Sequence, residues 1–235
     1  MIASPPRTVV VLLAAGEGRR VGADTNKILL PLAGLPVFAW SLKAIQPLAY
    51  VDQVIVVIRE QDRDLIERTL GEHFPDLDVT LVPGGSTRHG SEWNALQHVA
   101  ERIEAGSIDV VAIHDAARPL SGADLFARVI KVAAQHGGAI PTHEHRALLP
   151  RDRSAAFTKG IRLVGVQTPQ AFRAGPLLDA YGQADRDGFV GTDTASCIER
   201  YIRTEIHCVP SDASNIKITF AEDVALAEHL MVKLA

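Results

Sequence analysis

The sequence predicts an α/β fold: a Rossmann-like, mostly parallel sheet with helices on both faces and a protruding dimerisation arm. Two observations carry the sheet. Continuous apolar, β-branched runs recur through the first half of the chain, the pattern of strands covered on both sides. Between them lie amphipathic stretches at helical spacing, and strands alternating with helices build βαβ units.

The first run, residues 9–13, ends at a Gly-rich turn. The apolar run 9–15 is too short for a membrane span and runs straight into Gly16 rather than a signal-peptide cleavage pattern, so it reads as a buried strand. Residues 37–45 form a helix after a Leu-Pro-Leu-Ala-Gly turn. Strands at 54–58, 79–82 and 110–113 then alternate with helices at 62–70, 91–103 and 124–134. The rhythm breaks after Gly137-Gly138. Residues 141–162 are polar and charged, fitting neither a helix nor a core strand, and roughly twenty residues are too many for an idle loop. They read as an excursion from the sheet, the arm being placed at about 142–160. Order returns at 163–167, followed by helices from 174 and at 193–201, a strand at 206–209 and a last helix from 221.

The 235 residues suit one domain, 1–235, with that insertion. A net charge of −4 lacks the basic surplus of nucleic-acid binders. Two cysteines, Cys197 and Cys208, make neither a disulfide framework nor a zinc site, and a reduced, cytoplasmic setting fits them. No nucleic-acid or membrane partner is expected.

Ligands on such sheets bind outside the carboxyl ends of the strands. That rule gathers residues 14–27, 84–91, 114–119 and 215–219, whose Gly, Lys, Arg, Ser and Asp suit a polyphosphate. In the first segment Ala14, Ala15, Gly16 and Gly18 allow close backbone approach to a phosphate, and Arg20 and Lys27 add charge. No Gly-Lys-Ser/Thr follows, so this is not a Walker loop; Val21 breaks the dinucleotide fingerprint. In the second, Gly84-Gly85 with Arg88 and Ser91 follows a strand and opens a helix, so it either caps that helix or offers amides to a ligand. In the third, His114-Asp115-Ala116-Ala117-Arg118-Pro119 ends a strand. A buried Asp115 must be paired or bind a metal, so it is either a Mg²⁺ ligand or the partner of Arg118 in a turn. Lys217, between two isoleucines, is expected in a strand, pointing into the pocket or standing exposed at an edge. Thr168-Pro169-Gln170 forms a further motif, and downstream of it Thr192 or Asp193 either caps a helix or reaches a hydroxylated substrate.

Together these motifs resemble the 2-C-methyl-D-erythritol 4-phosphate cytidylyltransferase family of non-mevalonate isoprenoid biosynthesis. The resemblance covers nearly the whole chain, and ribitol 5-phosphate cytidylyltransferase is a near relative sharing most of them. It implies CTP and a small polyol phosphate as substrates, Mg²⁺ as cofactor and a homodimer whose arm reaches the partner's site. By family position Arg20 and Lys27 stabilise the transition state and Lys217 positions the acceptor phosphate. Ala14, Ala15, Gly16, Gly18, Gly85, Arg88, Ser91 and Ala116 fall on the nucleotide side. Asp115, Arg118, Thr168, Thr192 and Arg162 fall on the acceptor side.

Asn26 stands where the family usually has proline before the lysine. His143-Glu144-His145-Arg146 replaces a common Asp-Thr pair before Ile/Met-Lys. Gly160 occupies the place of an acceptor-positioning arginine, with Lys159 and Arg162 nearby. These last departures concern the acceptor, so another polyol phosphate such as ribitol 5-phosphate is the alternative substrate. A non-catalytic nucleotide binder is a further alternative, disfavoured because binding alone would not need Arg20, Lys27, Asp115 and Lys217 together.

Overall fold

The computed structural model describes residues 5–16, 26–144 and 164–234. Strand β1, Thr8–Leu13, lies in the interior of the main sheet. Its alternation explains the layering. Val10 and Leu12 face one side and Val9 and Val11 the other, and all four are fully buried. A continuous apolar strand therefore needs helices on both faces.

After β1 come a short 3-10 turn at Lys27–Leu29 and a hairpin of β2, Pro31–Leu32, and β3, Leu35–Pro36. Helix α1, Val37–Ile45, follows, then β4, Val51–Ile58, α2, Arg63–His73, and β5, Val79–Pro83. The expected helix at 91–103 is two helices, α3, Arg88–His98, and α4, Ala100–Glu104, with non-helical backbone at Val99. Strand β6, Val110–Asp115, and α5, Gly122–His136, complete this half.

The second half departs from simple alternation. Strand β7, Gly137–Glu144, is followed by β8, Val164–Val166, β9, Gln170–Arg173, α6, Ala174–Asp187, α7, Thr194–Tyr201, β10, Glu205–Pro210, and α8, Glu222–Leu234. The sheet order is β10-β7-β9-β6-β1-β4-β5, with β8 beside β7. Pairings on either side of β1 are parallel, whereas β9 runs antiparallel to both β6 and β7.

Two sequence expectations need correction here. Residues 141–144 are strand, not excursion: Pro141 and Thr142 are buried between β10 and the antiparallel strands. Proline is tolerated because, lacking an N–H, it still offers a carbonyl, here to Gln167 N at 2.9 Å. Residues 145–160 of the proposed arm lie outside the described residues. Gln170, read only as part of a motif, begins a strand that joins the two halves of the sheet.

Helices α1, α2 and α5 pack with Val10, Leu12, Val54 and Val56 on one face. Helices α3, α4, α6 and α7 pack with Val9, Val11, Ile55 and Val57 on the other. Helix α8 covers the hairpin through Ala227, Leu32 and Ile218.

Candidate active site

The carboxyl ends of β1, β4, β5 and β6 open into a cleft of about 570 Å³. Ala15, Gly16 and Lys27 line it from the first loop, Gly84, Gly85, Arg88 and Ser91 from the second, and Asp115 and Lys217 from the third and fourth. The four segments gathered from sequence thus meet in one place. Its described walls hold four cations, Lys27, Arg59, Arg88 and Lys217, against two carboxylates, Glu60 and Asp115. That surplus favours a polyanionic ligand.

Lys27 is delivered by Asn26. The Asn26 amide donates to Ala14 O at 3.1 Å and Asp62 Oδ2 at 2.8 Å, while its Oδ1 accepts from Ile28 N at 3.4 Å. Asp62 is gripped in turn by Arg59 at 2.7 and 2.8 Å. The residue that replaces the family's usual proline therefore ties the Lys27 turn to the end of β1.

The second loop depends on two close approaches. A Cβ on Gly84 would lie 2.3 Å from Ala15 Cβ, and one on Gly85 would lie 2.7 Å from Gly90 C. Only glycine lets this loop lie flush against both the first loop and α3. The helix cap is Thr87, not Ser91: Thr87 Oγ1 accepts from Gly90 N at 2.9 Å. Ser91 N is bonded within the helix to Thr87 O, and its hydroxyl accepts from Gly85 N at 3.1 Å. Ser91 thus fastens the loop. The α3 N-terminus faces the cleft, with the partial positive charge that attracts phosphate.

Asp115 is the electrostatic centre. Its Oδ2 accepts from Lys217 Nζ at 2.7 Å and its Oδ1 from Arg88 Nε at 3.3 Å, with Arg118 Nε 4.0 Å away. Burial alone would raise its pKa, but Arg88, Lys217 and Arg118 outweigh burial and hold the carboxyl far below the usual carboxylate range. Both oxygens of Asp115, the residue expected to hold magnesium, accept from these cations. The other carboxylate on the described wall, Glu60, is paired with Arg63.

Behind Arg88 stands Glu92, which the sequence reading missed. It is 1% exposed and accepts from Arg88 Nη1, Tyr181 Oη and Thr194 Oγ1, each at 2.6 Å. Burial raises its pKa, and Arg88, Thr194 and Tyr181 pull against that rise. Arg88 bridges two buried carboxylates, and burial opposes its charge less than Glu92 and Asp115 favour it. The available signal was the i,i+4 spacing of Arg88 and Glu92 on one helix.

Several expected ligand groups also make structural hydrogen bonds. Ala14 and Ala116 are buried, and their amides bond to Val57 O and Leu13 O, so neither amide can serve a nucleotide. Thr168 is buried; its hydroxyl accepts from Asp115 N at 3.0 Å and meets His114 Nδ1 at 2.9 Å. Arg118 donates to Asn215 O at 2.7 Å, holding the following segment. Asn215 is locked by Gln167, Thr168 and Ser121. Ile218 N then bonds to Ala117 O, so Lys217 reaches the cleft from an extended loop rather than the expected strand. Thr168, Arg118 and the exposed Thr192 are absent from the described lining. Gly18, Arg20 and Arg162 lie outside the described residues.

The sequence profile of the family described as 2-C-methyl-D-erythritol 4-phosphate cytidylyltransferase matches residues 8–233. The chain belongs to this family. A family member of that name from Symbiobacterium thermophilum is 36% identical over 226 residues, covering 94% of this chain and 92% of that protein. Another from Bacillus pumilus is 34% identical over 225 residues, covering 94% and 96%. The fold of 4-diphosphocytidyl-2C-methyl-D-erythritol synthase from Anaerococcus prevotii superposes with a TM-score of 0.80 at 23% identity, covering 97% of this chain and 99% of that one. The 2-C-methyl-D-erythritol 4-phosphate cytidylyltransferase from Thermus thermophilus gives 0.68 at 28%, covering 94% and 97%. Among the described residues no helix is long and apolar enough to cross a membrane.

Proposed function

We propose that the chain transfers CMP from CTP to 2-C-methyl-D-erythritol 4-phosphate and releases pyrophosphate, a step of non-mevalonate isoprenoid biosynthesis. The observation that carries this reading is the cationic cleft closed by Lys217 and Arg88 around Asp115. An oxygen of the acceptor phosphate attacks the α-phosphorus, a new P–O bond forms, and the bond to the β-phosphate breaks with its electrons leaving on pyrophosphate. The acceptor monoester is already largely ionised near neutrality, its second pKa being about 6, so no general base is needed. The barrier lies in bringing anions together, and fixed charge lowers it.

Arg20 and Lys27 neutralise the developing charge on the triphosphate, with Ala15, Gly16, Gly18, Gly85 and the start of α3 cradling it. Lys217 holds the acceptor phosphate, and Thr192 and Arg162 contact the acceptor. Asp115, held ionised, orients Lys217 and Arg88. Mg²⁺, for which Asp115 is the expected ligand, would supply further charge neutralisation on the triphosphate. The working enzyme is a homodimer with the arm beyond Glu144 reaching the partner's site.

A pyrophosphate-release assay with CTP, Mg²⁺ and a panel of polyol phosphates tests this. Turnover of methylerythritol phosphate well above ribitol 5-phosphate is expected. The reverse preference would overturn the acceptor assignment, and no release with any acceptor would overturn the transferase reading.

A further inference from the structure

The end of the sheet opposite the cleft carries a cluster that the transfer reaction leaves unused. His136 closes α5, and Glu205 and His207 lie two residues apart on the edge strand β10. Residues at that spacing project from the same face of a strand. Strand β10 pairs with β7 in the register Glu205 to Gly137 and His207 to Ala139, so the residues flanking the α5–β7 junction stand beside them. The junction is tight. Gly137 has φ 107°, and a Cβ there would lie 2.3 Å from Thr204 Oγ1, so only glycine lets the end of α5 approach β10 this closely. As a result the His136 and His207 rings stack with centroids 4.0 Å apart, and His207 Nε2 lies 3.0 Å from Glu205 Oε2.

We propose that His136, Glu205 and His207 form a surface site for a divalent transition metal of the zinc class. One ligand atom from each lies within 4.8 Å of the others. An ion about 2.0–2.1 Å from each ligand needs them roughly 3.4 Å apart, a closure that rotation of exposed side chains can supply. Two imidazoles and one carboxylate suit Zn²⁺, Ni²⁺ or Cu²⁺ and discriminate against Mg²⁺, which prefers oxygen ligands. The carbonyl end of α5 adds a favourable field. Arg173 opposes it: its guanidinium caps Ala134 O and Gln135 O of the same helix end at 3.0 Å. The fourth coordination position is left to water. Located at the opposite end of the sheet from Asp115, the ion clips the end of α5 to the edge strand and takes no part in CMP transfer.

Zinc titration by calorimetry of chelator-stripped full-length protein, in buffer containing Mg²⁺, tests the site. One Zn²⁺ per chain is expected, with a rise in Tm on saturation. Both should be lost in His136→Ala/His207→Ala and retained in Cys208→Ser, which removes an exposed thiol on the same strand. Pyrophosphate release should be the same in this double variant as in wild type. No binding to wild type, unchanged stoichiometry in the double variant, or loss of binding in Cys208→Ser alone would overturn the proposal. All three ligand residues lie at the surface, and the double variant's Tm without zinc, expected to match wild type, separates loss of the ion from loss of the fold.

Discussion

Among individual residues, His114 is the one whose protonation the fold resists most plainly. It is fully buried, with Nδ1 2.9 Å from Thr168 Oγ1 and Nε2 3.2 Å from Arg118 O. Burial pushes its pKa down to about 4, against a partial upward pull from Asp115. The unfolded chain takes up this proton near pH 6.5, so the contribution is complete above that value and is lost as pH falls towards 4, by about 3 kcal/mol. Urea unfolding of wild type between pH 7 and pH 4.5 should therefore lose more stability than His114→Gln does over the same interval; parallel losses would exclude His114 as the source. The charged loop residues behave differently. Lys27→Ala and Arg20→Ala should each lower kcat by about 10²-fold or more with little change in Tm, as expected for charge that acts in the transition state. A rise confined to KM would assign them to ground-state binding instead.

At the scale of elements, the site is built where helices and loops lock onto one another. Glu92 on α3 takes hydrogen bonds from Tyr181 on α6 and Thr194 on α7 while holding Arg88, so three helices converge on one carboxylate. Glu92→Ala would leave Arg88 with a single buried partner and should cost about 3–5 kcal/mol by denaturant unfolding. Glu92→Gln should fold and lower kcat/KM by about tenfold or more, the scale of a charge-assisted hydrogen bond; full activity in the Gln variant would show that Arg88 needs no anionic anchor. The glycine loop offers a second check. Gly85→Ala forces a Cβ into the Gly90 backbone and should cost about 1–3 kcal/mol. It should also weaken CTP binding in a thermal-shift titration, and unaltered CTP affinity would mean that the loop does not touch the nucleotide. The first half of the fold was legible because its parallel strands are buried on both faces and read as unbroken apolar runs. Strands β7 and β9 were not, because Gly137, Gly138, Pro141 and Gln170 carry no strand propensity and their pairing is decided by distant partners. The four ligand segments were legible from the strand-end rule. The hydrogen bonds by which Thr168 and Arg118 hold neighbouring segments were not, since nothing in the sequence marks those partners.

For the whole molecule, the prediction concerns assembly. The arm proposed for the residues from 145 onward has a function if a second copy receives it. Sedimentation should give a dimer, and deleting residues 145–158 should give a monomer with weak activity; a fully active monomeric wild type would remove the arm from the mechanism. The sheet itself has a property that bears on how the protein is made. Among the described residues its two halves, β10 with β7 and β6 with β1, β4 and β5, are hydrogen-bonded to one another only through the four residues of β9. Those residues follow β6 by more than fifty positions in the chain. During synthesis the β6 edge must therefore stay unpaired until residue 173 has cleared the ribosome. For that interval the nascent chain exposes an unpaired strand edge, Val110 to Ile113, of the kind that templates aggregation.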